Sequence, residues 1–128
     1  MNPKQQRIKI AEVCGWAWES YEGGDGTTHF GWFSPNRRLH SHSHSSSDEI
    51  KFEQAECLPD YLNDIGLIMR AVASSMIWQS GILADRYINY LREATGVRHE
   101  YVCLALTEAN AEQRCEAFLK TLERWDGK

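Results

Sequence analysis

"WAWESYEGGDGTTHFGWFS", residues 16–34, is the stretch on which the fold reading turns. Trp16, Trp18 and Ser20 alternate with Ala17, Glu19 and Tyr21, the period of two that sends side chains to opposite faces of a strand. "EGGDG" at 22–26 must turn. It follows a strand without opening a helix, so its glycines read as a turn and not as a phosphate-binding loop. The β-rich "TTHFGWFS" at 27–34 then pairs back as a hairpin. Trp16 and Trp18 on one face, with Ala17 and Tyr21 on the other, ask for cover on both sides.

Before the hairpin, Asn2 followed by Pro3 is a helix start, a capping residue and then proline at the first helical position. Ile8, Ala11 and Cys14, with Ile10 and Val13 beside them, form its apolar face, and Gly15 stops it. After the hairpin the chain loses periodicity from Pro35 to Asp48. "EIKFEQAE" at 49–56 returns to alternation and predicts a third strand with Ile50 and Phe52 on one face. Beyond Pro59, Ile65, Ile68, Met69, Val72 and Met76 recur at helical spacing as one inward stripe. Ser80-Gly81 breaks that helix. A second follows with Ala84, Tyr87, Ile88, Leu91 and Ala94 inward, ended by Gly96. "EYVCLAL" at 100–106 reads as a strand apolar enough to be central. Asn110 with Gln113 forms a capping-box pattern, with Thr107 the rival cap, for a last helix reaching about Trp125 through Ala111, Cys115, Phe118, Leu119 and Leu122. The order predicts an α+β fold: a small α-β-α sandwich whose mixed or antiparallel sheet of about four strands is packed by about four helices. The expected organisation is a single domain over residues 1–128 with a mobile His/Ser-rich loop at 34–49.

Composition narrows the function classes. The net charge of −4 argues against general nucleic-acid binding, which needs an excess of Lys and Arg. The four cysteines, Cys14, Cys57, Cys103 and Cys115, form no C-x-x-C pair and read as reduced thiols. The polar N-terminus is unlike a signal peptide and no run approaches a membrane span, so a cytoplasmic protein is expected.

Three segments taken together, "KIAEVCGWAW" (9–18), "LPDYLNDIGLIMRAV" (58–72) and "EANAEQRCEAFLKTLERW" (108–125), resemble the phage α-β-α sandwich domain family, small proteins of phages and prophages. The resemblance implies a phage origin and a three-layer sandwich. It transfers no catalytic residue and does not reach residues 22–49. Within the middle segment, Asn63 or Asp64 can cap a helix start. Asp60 and Asp64, four apart, could instead share a cation, although a hard metal needs more oxygen ligands than two carboxylates give.

"LHSHSHSSSDE" at 39–49 offers metal chemistry. In an extended segment His40, His42 and His44 project to one side, and three neutral imidazoles suit zinc or nickel, with Asp48, Glu49 or His29 as an added ligand. The competing reading is a solvated loop, since small serines and no apolar anchor would hold the ligands loosely. A second constellation precedes it. The aromatics Phe30, Trp32 and Phe33 could stack a base, and Arg37, Arg38 and His40 could hold phosphate. Alternatively the aromatics fill the core and the arginines are solvated turn residues. No word of a nucleophile elbow, zinc protease, P-loop or dinucleotide fold occurs, so no enzymatic activity and no cofactor are assigned. The first expectation is therefore a non-enzymatic phage accessory protein that binds a host protein, such as a defence protein, in the host cytoplasm. The second is a small-ligand binder that sequesters a signalling nucleotide, and the third a metal-dependent enzyme on the histidine loop. A homo-oligomer stays open, since aromatics are also enriched at interfaces.

Overall fold

The computed structural model describes residues 1–97 and 102–125. The chain divides into two compact units, residues 2–59 and residues 60–128, the latter with Met1.

In the first unit, helix α1 (Pro3–Val13) starts at a capping box: the Asn2 side chain accepts from the Gln5 amide (2.9 Å) and the Gln5 side chain from the Asn2 amide (3.1 Å). Gly15, at φ +99°, turns the chain into strand β1 (Ala17–Glu22). Strand β2 (Thr28–Phe33) pairs antiparallel with it, from Ala17 opposite Phe33 to Glu22 opposite Thr28, so the predicted hairpin forms. Trp18 and Trp32 meet edge-to-face across the pair at 5.6 Å. Trp32 is fully buried, in a core shared with Ile8, Ile10, Ala11, Ala55 and Leu58. The Arg7 guanidinium donates to the carbonyls of Glu56, Leu58 and Pro59 and ties α1 to the end of the unit.

Residues 49–56 are not the predicted third strand. They form helix α2 (Asp48–Glu53) and a 3-10 helix (Gln54–Cys57). Two apolar residues make a weak alternation, and the start signals are stronger. The Ser47 side chain accepts from the Ile50 amide (3.2 Å), and Asp48 and Glu49 place negative charge in the first turn, where the helix dipole favours it.

In the second unit, Asp64 caps helix α3 (Ile65–Ser74) by accepting from the Leu67 amide, while Asn63 donates to Asp60. A 3-10 helix (Met76–Gln79) leads to helix α4 (Gly81–Thr95), capped by Ser80 and ended by Gly96 in the left-handed region. Helix α5 (Val102–Glu108) precedes helix α6 (Ala111–Thr121), which opens on the predicted Asn110–Gln113 capping box; Thr107, the rival, lies inside α5. Helix α4 packs on α5 and α6, and α3 on α6, around Ile68, Val72, Tyr87, Leu91, Cys115, Phe118 and Leu119.

The predicted central strand at 100–106 is thus a second correction: Val102 onward is helical, and Glu100 and Tyr101 lie outside the described residues. A short apolar run does not separate strand from buried helix by periodicity, and Leu, Ala and Glu favour helix. Buried Arg114 supplies the end that a local reading misses, donating to the Leu106 and Ala109 carbonyls at the C-terminus of α5. With both extra strands lost, the sandwich of about four strands and four helices gives way to six α-helices and one two-stranded sheet among the described residues. The α3 stripe is also narrower than predicted. Ile68 and Val72 are buried, whereas Ile65, Met69 and Met76 are exposed, as are Trp78 and Ile82.

Candidate metal centre

His29 sits near the start of β2, directly opposite Tyr21, and the two rings stack at 5.4 Å with 24° between planes. Phe33 meets Tyr21 edge-on at 5.8 Å from the same face. The hairpin turn closes with the Gly23 amide donating to the Thr27 carbonyl (2.9 Å). Gly23 has to be glycine here, because a Cβ would collide with the His29 ring. The His29 side chain is only 8% exposed.

The two nitrogens of His29 have different surroundings. The Thr27 hydroxyl donates to Asp25 Oδ1 (2.6 Å), which leaves its oxygen to accept from His29 Nε2–H (2.8 Å); Nε2 also lies 3.3 Å from Asp25 Oδ1. This network assigns the ring proton to Nε2. Nδ1, with its lone pair, is buried and has no hydrogen-bond partner. The Thr27 hydroxyl and amide, then His29, hold the Asp25 carboxyl far below the usual carboxylate range, so Asp25 stays ionised against the ring.

The segment after β2 returns along its free edge. The Phe33–Leu39 and Phe30–Ser43 bridges place three steps of β2 against four of the returning segment, so one residue is inserted, a β-bulge. Before the bulge, the His40 amide donates to the Trp32 carbonyl (2.9 Å), and the His40 ring turns to the tryptophan face, 4.8 Å from Trp16. After it, alternation has slipped by one, and His42 and His44 lie on the Tyr21–His29 face. Their ring centroids are each 4.5 Å from His29 and 5.0 Å from one another. Gly31 permits the approach, since a Cβ there would meet the Ser41 backbone and, at 2.7 Å, Leu39 Cδ1.

One ring nitrogen from each of His29, His42 and His44 lies within 4.8 Å of the others. A tetrahedral zinc with Zn–N of about 2.0–2.1 Å spaces its nitrogens by roughly 3.4 Å. The exposed His42 and His44 rings therefore have to close by about 1.4 Å at most, a small torsional change. The predicted triad of His40, His42 and His44 thus contributes two members, and His29, foreseen only as an added ligand, is the buried one. Asp48 and Glu49 lie in the first turn of α2, outside the cluster.

The aromatic–arginine constellation does not converge. Trp32 is buried and offers no face to a base. Phe30 exchanges backbone hydrogen bonds with Ser43 (2.7 and 2.8 Å). Arg37, at φ +66°, makes a two-pronged pair with Glu19 (3.1 and 2.5 Å) and lies over Phe33. That pairing lowers the Glu19 pKa and raises that of Arg37. Arg38 is exposed, its backbone bonded to Ser34. In the other unit, a cavity of about 240 Å³ lined by Tyr90, Glu93, Ala94, Glu116, Ala117 and Lys120 is spanned by the chain's own Lys120, which pairs with Glu116 at 3.3 Å and lies over Tyr90 and Trp125.

Cys14, Cys57 and Cys115 are not joined in disulfides. Among the described residues no helix is long and apolar enough to cross a membrane. No protein-family model, no curated protein and no solved structure matches the chain.

Proposed function

We propose that the protein binds one divalent transition-metal ion of the zinc, nickel or copper type through His29 Nδ1, His42 and His44. The observation that carries this reading is the buried, unpartnered Nδ1 of His29 beside two exposed imidazoles. An orphaned buried acceptor is costly unless something fills it. The opposite nitrogen bonds a carboxylate and a hydroxyl, the outer contacts that fix the tautomer and orientation of metal-ligating histidines. Three neutral nitrogens favour these ions over magnesium and calcium, which take oxygen. They also leave one position of a tetrahedral ion to water or an outside ligand. Calorimetry on untagged protein tests the reading: about one zinc per chain, little response to magnesium, and loss of binding in His29→Ala. Absence of zinc uptake at millimolar metal refutes it.

A second reading, an accessory protein of phage type that binds a host protein in the host cytoplasm, is supported by the exposed Ile65, Met69, Met76, Trp78 and Ile82 of the unit from residue 60 onward. Capture of one host protein by the wild type, lost in Met69→Asp/Ile82→Asp, is the expected result; equal capture by both counts against it.

A further inference from the structure

We infer that the metal acts as a latch, holding the returning segment Leu39–Ser47 onto the free edge of β2 and releasing it when the ion leaves. The inference rests on the metal reading above and adds what occupancy does to the chain.

The segment has little else to hold it. None of residues 35–49 is buried, so no apolar side chain anchors it. Its attachments to the rest of the unit are the ring contacts of His40 with Trp16 and of His42 and His44 with the Tyr21–His29 face, and a few hydrogen bonds: the reciprocal Phe30–Ser43 pair, His40 N–H to Trp32 O, the Trp32 amide to Ser41 Oγ (2.8 Å), and Gln54 Nε2 to the His42 carbonyl (2.8 Å). Further along, the Ser45 and Ser47 amides bond Ser43 Oγ and Ser45 Oγ, which shapes the segment without fastening it. Hydrogen bonds at an exposed edge exchange readily with water and contribute little each. The ligands are divided across this seam. His29 belongs to the hairpin, fixed by Tyr21, Gly23, Thr27 and Asp25, while His42 and His44 belong to the segment. An ion bound to all three is a cross-link between the two, and it cannot bind the open form with the same set. Opening is then suppressed by the factor 1 + [metal]/Kd, about 100-fold at a free concentration of 100 Kd. Without the ion, β2 bares the backbone groups of Phe30 and Trp32, an unpaired strand edge.

The test is hydrogen–deuterium exchange of the untagged full chain in chelator, in zinc at 100 Kd, and in magnesium, with zinc affinity measured in parallel. Zinc is expected to slow the His40 and Ser43 amides by about 100-fold, with much smaller changes in the β1–β2 amides and in α4 and α6, and magnesium to do nothing. His44→Gln, a change at an exposed side chain, is expected to abolish the slowing in a folded protein. Zinc that binds without slowing His40 and Ser43 overturns the latch and leaves the metal reading standing. Uniform slowing of all amides also overturns it, because that is global stabilisation. Failure of zinc to bind overturns both.

Discussion

Gly31→Ala places one methyl group outside the metal centre and is expected to weaken it. Gly31 is buried in β2, opposite Glu19. An added Cβ would lie 2.7 Å from Leu39 Cδ1 and 3.0 Å from the Ser41 carbonyl carbon, and closer still to its oxygen. The leucine can rotate away; the peptide cannot, so the segment must recoil from β2. Overpacking of this kind costs about 1–3 kcal/mol. Charged against the closed state, that lowers its population relative to the open one by roughly 5- to 150-fold, and, because the latch leaves the metal-free segment mostly open, the closed fraction and with it the apparent affinity fall by the same factor. Gly31 has ordinary backbone geometry, so alanine leaves the β1–β2 pairing intact. The assay is a competition titration of zinc against a chromophoric chelator, at fixed pH and salt, on untagged wild type and variant. An affinity within twofold of wild type, in a variant whose circular dichroism is unchanged, would refute both the close approach of the segment and the placement of His42 and His44.

Asp25→Asn keeps the shape of the turn but removes the carboxylate behind His29; zinc affinity is expected to drop about 10- to 100-fold, measured in the same titration, and the drop should be absent if His29 is only a packed side chain. Trp32→Ala empties the largest fully buried site of its unit, and denaturant unfolding should register a loss of about 3–5 kcal/mol. Burial, with smaller contributions from Glu112 and Asp60, pushes the Cys115 thiol up to about 12 from an ordinary 9.0. Between those values only the unfolded thiol ionises, so stability present below pH 9 is lost as pH rises, by about 1.4 kcal/mol per unit. Cys115→Ala should flatten that part of the pH profile, and an unaltered profile would contradict the burial.

The local signals of this chain were readable where they were carried by neighbours in sequence. The Asn2–Gln5 and Asn110–Gln113 boxes, the Gly96 stop and the hairpin across "EGGDG" all depend on residues a few positions apart, and all formed. The two lost strands failed for a different reason. Residues 49–56 alternate only through Ile50 and Phe52, while Ser47, Asp48 and Glu49 already supplied a helix start that outweighed them. The run from Val102 is apolar in the manner of a strand or of a buried helix, and the partner that makes it a helix, Arg114 at its last carbonyls, lies on the next element.

The histidine site shows the same division more sharply. His40, His42 and His44 share a face only while the alternation is unbroken, and the inserted residue between the two bridges breaks it. Nothing within "HSHSH" marks that insertion, because Ser41 and Ser43 are alike. The mark lies across the ladder: Gly31 stands between Phe30 and Trp32, and a lone glycine in an aromatic strand signals a bulge or a close backbone approach. The anchor was also legible, since Asp25, Thr27 and His29 alternate through the end of the turn and His29 falls opposite Tyr21 once the hairpin register is set. A ligand that is to hold a metal has to be oriented before the ion arrives. Among the described histidines only the one in the hairpin meets that condition, and the loop histidines, which drew notice by their number, are the ones that move to it.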